Sequence, residues 1–264
     1  MGFMDSKIKT TARSAAGAAG KILLKYFHGS FKTYEKGAHD FVTDADLAAE
    51  KKIKAIILKV FPDHEFLAEE SKLTGNADSD YRWIIDPLDG THSFLHRFHY
   101  FSVSIALEYQ GKVIYGLVYA PFYQQLFEAE LGKGATLNGK KIHVSGCKTI
   151  ADALLVTGVP YNRKTFKQDN LKHFFKIGKE CFCLRRCGSA ALDMCYVANG
   201  VFDGYWEFGL SPWDVAAGAL ILKEAEGKMV NIGSAKYSIY EKHIICAGPK
   251  LFPKLRARVE GIGS

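Results

Sequence analysis

Apolar residues recur at helical spacing near the start of the chain, which predicts an amphipathic first helix. Its apolar positions include Ile8, Ala12, Ala15, Ala19 and Leu23. A second helix is predicted around residues 53–60, and Phe61-Pro62 ends it. The stretch Ser6–Tyr34 contains no acidic residue, a feature shared with organellar transit peptides, but the periodicity favours a folded helix.

Residues 101–109 alternate between apolar and polar residues with a period of two, which is typical of a strand, and further strands are predicted along the rest of the first half. Asn138-Gly139 is typical of a tight hairpin turn, and the polar residues 72–80 are expected to form a loop. The predicted strands are 65–68, 83–85, 101–109, 113–119, 125–130, 135–137 and 141–144. Two helices followed by a strand meander predict an α+β half covering residues 1–148.

In residues 149–264, strands and helices are predicted to alternate, which indicates an α/β half. The predicted strands are 154–157, 181–184, 203–208 and 243–247, and the predicted helices are 166–179, 190–198, 215–225 and 249–259. Cys181 and Cys183 are expected on one face of a buried strand. No repeat or low-complexity linker separates the halves, so we expect them to pack tightly.

Composition excludes several classes of protein. Of 264 residues, 48% are hydrophobic and 24% charged, which excludes disorder. The longest uncharged stretch, Val113–Phe127, is too short to span a membrane. The net charge of +7 favours small anionic substrates, but no basic run indicates nucleic-acid binding. Six cysteines in a chain of this size are expected to be reduced, which favours a cytoplasmic location.

Acidic residues stand where predicted elements begin or end. Thr43-x-x-Asp46 and Ser211-x-x-Asp214 have the pattern of helix capping boxes, so both aspartates have a structural explanation. Glu69-Glu70 taken alone is a solvated pair. The sequence at this level leaves structural and functional roles open for these residues.

Asp86 is different, because it directly follows the apolar residues Trp83-Ile84-Ile85. Ligands of open α/β sheets bind beyond the carboxyl ends of strands. Pro87 and Gly90 favour a turn that aims Asp86 and Asp89 at one point. Converging carboxylates repel, and Mg²⁺ offsets such charge while binding substrate phosphate. A helix starting after Thr91 adds backbone amides for an anion, so we expect a metal–phosphate site here.

These motifs resemble those of the inositol monophosphatase family. The first signature matches residues 83–91, and the second matches Trp213-Asp214-Val215-Ala216-Ala217-Gly218. Residues 40–46, Glu69-Glu70-Ser71 and Gly188-Ser189-Ala190-Ala191 match in order and spacing, so the resemblance runs from about Ala12 to Gly248. It implies a layered αβαβα fold and a magnesium-dependent, lithium-sensitive phosphomonoesterase that forms homodimers.

The resemblance also implies roles for individual residues. One Mg²⁺ would be held by Glu69, Asp86 and the Leu88 carbonyl, and a second by Asp86, Asp89 and Asp214. Glu69 would also help to hold a third, weaker ion. Mn²⁺ would substitute for Mg²⁺, and Li⁺ would inhibit. Thr91, Asp46 and Glu69 would position or activate the attacking water. The substrate contacts implied are Asp89, Gly90, Thr91, Gly188, Ser189, Ala190, Glu207 and Asp214. The family position two residues after the signature threonine is usually Asn, but here it is Ser93.

Three histidines, His92, His96 and His99, have a spacing that could bind metal on a helix, although an exposed helix face is the favoured interpretation. Asp44-x-Asp46 resembles the nucleophile pair of haloacid-dehalogenase-type phosphatases, but no core strand leads into it. A Cys-x5-Arg phosphatase loop is absent from the sequence.

The leading hypothesis is hydrolysis of myo-inositol monophosphate by metal-activated water. The alternatives are fructose-1,6-bisphosphatase, nucleotide 3′-phosphatase or histidinol-phosphatase activity, or a regulatory binding protein built on the same scaffold. A small phosphorylated polyol is therefore the expected partner, with no membrane and no nucleic acid.

Overall fold

The computed structural model describes residues 2–37, 40–160 and 170–262. The helices in these ranges are α1 (Gly2–His28), α2 (Asp44–Leu58), α3 (Thr91–Leu95), α4 (Leu171–Gly178), α5 (Ala190–Ala198), α6 (Pro212–Glu224) and α7 (Phe252–Glu260). The strands are β1 (Thr33–Gly37), β2 (Asp40–Thr43), β3 (Glu65–Ala68), β4 (Lys72–Gly75), β5 (Tyr81–Asp89), β6 (Ser102–Tyr109), β7 (Lys112–Ala120), β8 (Gln125–Glu130), β9 (Ala135–Leu137), β10 (Lys140–Lys141), β11 (Leu154–Thr157), β12 (Cys183–Arg185), β13 (Gly204–Phe208), β14 (Lys228–Val230) and β15 (His243–Ala247).

The elements stack in five layers, which confirms the expected αβαβα fold. Helices α1 and α2 cover one face of an eight-stranded sheet with the order β10-β9-β8-β7-β6-β5-β3-β4. Helices α5 and α6 fill the space between its other face and a five-stranded sheet with the order β12-β11-β13-β15-β14. Helices α4 and α7 pack on the outside of the second sheet.

The central helix α6 explains how the layers hold together. Residues 215–222 of this helix are all buried, and a helix that is apolar on every side belongs in an interior. One hydrophobic core joins Ile84 and Val118 of the first sheet to Ala217 and Leu220 of α6 and Tyr205 of the second sheet. The two halves therefore pack tightly, as expected; the division at residues 148/149 into subdomains stays a prediction.

Two predictions near β5 are wrong. Residues 72–75 are not loop but an edge strand, β4, antiparallel to β3; its mostly exposed residues give no alternation to detect. The strand expected to end at Ile85 continues to Asp89, with a register irregularity between Asp86 and Asp89. Pro87 has no N–H to donate to a ladder and is accommodated at this irregularity.

Several boundaries in the second half also differ from prediction. The helix expected over 166–179 is observed from Leu171 to Gly178, and residues 166–169 lie outside the described residues. Cys181 precedes β12 and is only partly buried, as is Cys183, so the buried-strand interpretation is wrong. The last helix begins at Phe252 rather than residue 249. Strands β1, β2 and β14, which sequence patterns did not reveal, complete the fold.

Two other expectations concern the cysteines and membrane-spanning helices. All six cysteines are free, as the reduced-thiol prediction required. In the described part of the chain, no helix has the length and apolar character needed to cross a membrane.

The close approach of β7 to α6 predicts an effect of Gly116. A Cβ at this residue would lie 2.8 Å from the Ala217 carbonyl oxygen and 3.0 Å from its Cα. Because both contacts are backbone atoms, Gly116→Ala should lower the free energy of unfolding by about 1–3 kcal/mol, measured by urea denaturation. Gly17→Ala in α1, where no atom lies within 4 Å, is the matched control and should be neutral or stabilising. Equal denaturation midpoints for Gly116→Ala and the wild type would contradict this packing.

Candidate active site

A cavity of about 640 Å³ opens where the ends of β5 and β13 meet the start of α6. Ten of the residues expected to act in a site line it, and they come from distant parts of the chain. These residues are Glu69, Asp86, Leu88, Asp89, Gly90, Thr91, Gly188, Ala190, Glu207 and Asp214. The fold thus brings together almost the whole set that the sequence singled out.

The irregular end of β5 turns two aspartates toward the cavity. Asp86 Oδ1 accepts a hydrogen bond of 2.9 Å from the Leu88 N–H, which fixes the carboxylate against its own turn. Gly90 then adopts φ +97°, and a Cβ there would lie 2.8 Å from the Tyr100 carbonyl oxygen. Only glycine suits both conditions, so this turn depends on it.

Asp89 is held from the opposite side by the start of α5. One carboxylate oxygen accepts hydrogen bonds from the Ser189 hydroxyl and, at 2.8 Å, from the Ala191 N–H. Ser102 Oγ lies 3.5 Å from the same oxygen. Ser189 was expected to contact substrate, but it is buried behind Asp89 rather than in the cavity wall.

Both predicted capping aspartates are caps and also belong to the site region. Asp214 accepts a 2.7 Å hydrogen bond from the Ser211 N–H at the start of α6, and it lines the cavity. Asp46 accepts a 2.8 Å hydrogen bond from the Thr43 N–H and lies fully buried behind Thr91. Thr91 Oγ1 is 3.3 Å from Asp46 Oδ1 and 3.0 Å from the Leu88 carbonyl oxygen. Capping and site chemistry are therefore compatible roles.

Burial and mutual repulsion raise the pKa of the cavity carboxylates. Loss of solvation is the main cause at Asp86 and Asp214, where the pKa is well above its usual range. The charges of Glu69 and Asp89 add to the effect at both residues. Burial raises the pKa of Asp89 to about 6, although the bonds from α5 oppose the rise. A site that concentrates negative charge in this way favours a bound cation.

Asp46 and Glu207 each have a pKa near neutrality. Burial raises the pKa of Asp46 to about 7, opposed by its hydrogen bonds to Thr43. Burial also raises the pKa of Glu207 to about 7, opposed by the 2.6 Å hydrogen bond from the Tyr205 hydroxyl. A carboxyl group with such a pKa can exchange a proton near pH 7.

The donor atoms of the cavity suit a hard divalent cation. Its carboxylate and carbonyl oxygens are the ligands that Mg²⁺ prefers, and among the described residues the wall contains no Cys or Met. Within residues 2–37, 40–160 and 170–262, no group of three or more His, Cys, Asp or Glu side chains already has an arrangement that would hold a metal ion. The fit to Mg²⁺ therefore rests on donor type, shared cavity and charge.

The histidines do not form the helical group that their spacing permitted. Helix α3 ends at Leu95, so His96 and His99 follow it rather than continue its face. His92 packs edge-on against Phe41, and His99 stacks on Phe122 with ring centroids 3.7 Å apart. Aromatic contacts thus fix the rings of His92 and His99, and His92 also lines the cavity.

The wall also contains residues that sequence reasoning did not assign to the site, among them Phe41, Lys72, Gly158 and Arg186. Arg186 was noted only as part of a basic pair. Gly158 directly faces the Glu207 carboxylate, since a Cβ there would fall 1.9–2.1 Å from its atoms. A glycine directly after a core strand was the one local signal that could have revealed this position.

The chain is similar to known proteins over nearly its whole length. The inositol monophosphatase family matches residues 4–263. Nus factor SuhB of Pseudomonas aeruginosa is 38% identical over 257 residues, which covers 94% of each chain. The chloroplastic phosphatase IMPL1 of Arabidopsis thaliana is 37% identical over 251 residues, 93% of this chain and 68% of that protein. The structure of inositol monophosphatase from Anabaena superposes with a TM-score of 0.87 at 38% identity, covering 96% of this chain and 95% of that one.

The fold is thus that of a family of phosphatases that act on small phosphorylated molecules. The chain belongs to the inositol monophosphatase family.

Charge repulsion in the cavity predicts that removing one carboxylate stabilises the protein when no divalent ion is present. At pH 8, Asp86→Asn should raise the free energy of unfolding by about 1–2 kcal/mol, because the amide needs less solvation and does not repel its neighbours. Asp78→Asn, an exposed position, is the control and should have little effect.

The raised pKa values of the cavity carboxylates also predict how the stability of the protein changes with pH. Raised pKa values mean that the folded state keeps protons that the unfolded chain releases near pH 4, so wild-type stability should fall as pH rises from about 5 to 8. Asp86→Asn should show a smaller fall in thermal unfolding scans in EDTA. A steeper fall in the variant would contradict the assigned repulsion.

Proposed function

We propose that the protein is a Mg²⁺-dependent phosphomonoesterase. The observation that carries the proposal is one cavity that collects Glu69, Asp86, Asp89 and Asp214 beside the Thr91–Asp46 pair. Family membership supports phosphatase activity on a small substrate. Four carboxylates in a cavity repel a phosphate dianion, so they need bound cations to accept one.

By the family resemblance, Glu69, Asp86 and the Leu88 carbonyl would hold one ion, and Asp86, Asp89 and Asp214 a second. A weaker third ion would involve Glu69, Mn²⁺ would substitute for Mg²⁺, and Li⁺ would inhibit. Such ions neutralise phosphate charge, lower the pKa of bound water and stabilise the leaving oxygen. The backbone amides of Gly90 and Thr91 would hold the phosphate.

The protein's own residues supply the proton path. A water molecule beside Thr91 would donate to the Thr91 hydroxyl, which donates in turn to Asp46 Oδ1. Asp46 has a pKa of about 7, so its carboxylate can accept the proton near neutral pH. Thr43 keeps Asp46 oriented, and Glu69 would position the water for in-line attack without a covalent phosphoenzyme.

The substrate that we propose is myo-inositol monophosphate. Glu207 can accept hydrogen bonds from polyol hydroxyls at the far wall, and the small side chains of Gly188 and Ala190 leave room for a ring. Fructose-1,6-bisphosphate, a nucleotide 3′-phosphate and histidinol phosphate are the alternatives on the same scaffold. A homodimer and a cytoplasmic location complete the proposal.

A substrate panel tests the proposal directly. Phosphate release from inositol-1-phosphate, fructose-1,6-bisphosphate, adenosine 3′,5′-bisphosphate and histidinol phosphate should require Mg²⁺, stop with EDTA and resume with added Mg²⁺. Inositol-1-phosphate should give the highest kcat/KM. Asp214→Asn should lower kcat by several powers of ten, since the leaving oxygen loses a ligand of its ion. Full activity in EDTA would contradict the metal-dependent mechanism.

The Thr91–Asp46 path gives a separate prediction. Thr91→Ala should lower kcat about 10²- to 10⁴-fold with little change in thermal stability, because the hydroxyl that relays the proton is lost. Thr91→Ser keeps the hydroxyl and is the control, with activity near wild type. In the wild type, kcat should rise through about pH 7 as Asp46 loses its proton, and Asp46→Asn should remove that rise. An alanine variant with wild-type kcat would exclude Thr91 from the path.

A regulatory binding role is the second candidate, favoured by the 38% identity to a Nus factor over nearly the full length. Asp86→Asn separates the two roles, because it should abolish hydrolysis while leaving the outer surface unchanged. A cellular function that survives this substitution supports the binding role, and one lost with hydrolysis supports the phosphatase.

A further inference from the structure

Lys72 lines the rim of the cavity but has no role in the proposed reaction. It begins β4, directly after the short turn that carries Glu69. Its backbone has φ +58°, a left-handed conformation that residues with a side chain rarely adopt. Strained backbone conformations of this kind cluster at functional sites.

The Lys72 ammonium contacts the turn that carries Glu69. Its Nζ donates a 2.6 Å hydrogen bond to the Glu69 carbonyl oxygen. The Glu69 N–H in turn donates to the Ile85 carbonyl oxygen at 3.1 Å, next to Asp86. The lysine therefore fixes the outer side of a turn whose inner side is fixed to β5.

The same ammonium also contacts the start of α6. Lys72 Nζ lies 4.5 Å from the centroid of the Trp213 ring, a distance at which a cation is attracted to an indole face. Trp213 directly precedes Asp214, and its carbonyl oxygen accepts a 3.2 Å hydrogen bond from Ser104 Oγ of β6. One side chain thus joins two segments that are far apart in sequence.

We propose that Lys72 is a positioning residue that holds the Glu69 turn against the start of α6, and so sets the spacing of Glu69 and Asp214 for a divalent cation. The inference rests on the proposed function, in which both carboxylates hold metal. Lys72 does not touch the reacting atoms in this proposal. Its cation acts on the carbonyl of one segment and the indole of the other.

The test measures Mn²⁺ binding to metal-free protein by isothermal titration calorimetry, with no substrate present. Lys72→Met keeps the apolar stem and loses the cation, so the dissociation constant should rise roughly fivefold, a size typical of an exposed cation–π contact. Lys72→Arg keeps a cation and should bind within about twofold of the wild type. Lys140→Met, on exposed β10, is the matched control and should not differ from the wild type.

Lys72→Gly separates positioning from a merely structural role. Glycine adopts the left-handed conformation without strain, so the melting temperature should stay within about 3 °C of the wild type. Mn²⁺ binding should still weaken roughly fivefold, because the ammonium is gone. The proposal would be overturned by wild-type Mn²⁺ affinity in Lys72→Met or Lys72→Gly, or by weak Mn²⁺ binding in Lys72→Arg. A raised KM for substrate without any change in Mn²⁺ affinity would also overturn it.

Mn²⁺ binding and hydrolysis by the wild-type protein separate the role of Lys72 from the proposed function. A wild-type protein that binds Mn²⁺ but hydrolyses no phosphate ester would contradict the function, and the variant comparison would still decide the role of Lys72. A wild-type protein that binds no Mn²⁺ would overturn both.

Discussion

Repulsion among carboxylates enclosed in one cavity is the constraint on which the rest of this structure depends. Buried acids of like charge move apart or take up protons unless other groups hold them in place. Here backbone N–H groups provide that restraint: Leu88 for Asp86, Ala191 for Asp89 and Ser211 for Asp214. Each donor belongs to a turn or a helix start. The positions of the three carboxylates therefore depend on the layered fold.

The parts of the candidate site whose geometry is set by a few consecutive residues could be predicted from the sequence. The turn from Asp86 to Thr91 and the two capping boxes carry their geometry within a few residues, and the structure reproduces both caps. Lys72 gave no comparable signal, and the only signal at Gly158 was its place directly after a core strand. Their importance arises from Trp213 and Glu207, which are more than 45 residues away in the chain. Their roles depend on tertiary contacts that no local pattern encodes.

Helices and strands could be predicted where burial makes apolar residues recur at a regular spacing along the sequence. Strands β6 to β8 and helices α1 and α2 each bury one face or both, so apolar residues mark them. Strand β4 was not predicted because it is an exposed edge strand without a buried face. Strand β5 was expected to end before Pro87, but an irregular register accommodates the proline. Helix α6 was found although it lacks a polar face, since its length exceeds that of a buried strand.

The side chain at position 158 controls where the Glu207 carboxylate can lie in the cavity. Any larger side chain at this position would occupy the space of the Glu207 carboxylate, so the acid keeps this place at the far wall because its neighbour is the smallest residue. Exchanging that single hydrogen for a methyl group would turn the acid aside without altering the carboxylates at the opposite end. In the proposed reaction, selectivity for the alcohol part of the ester would thus depend on residues other than the carboxylates that would hold the metal ions.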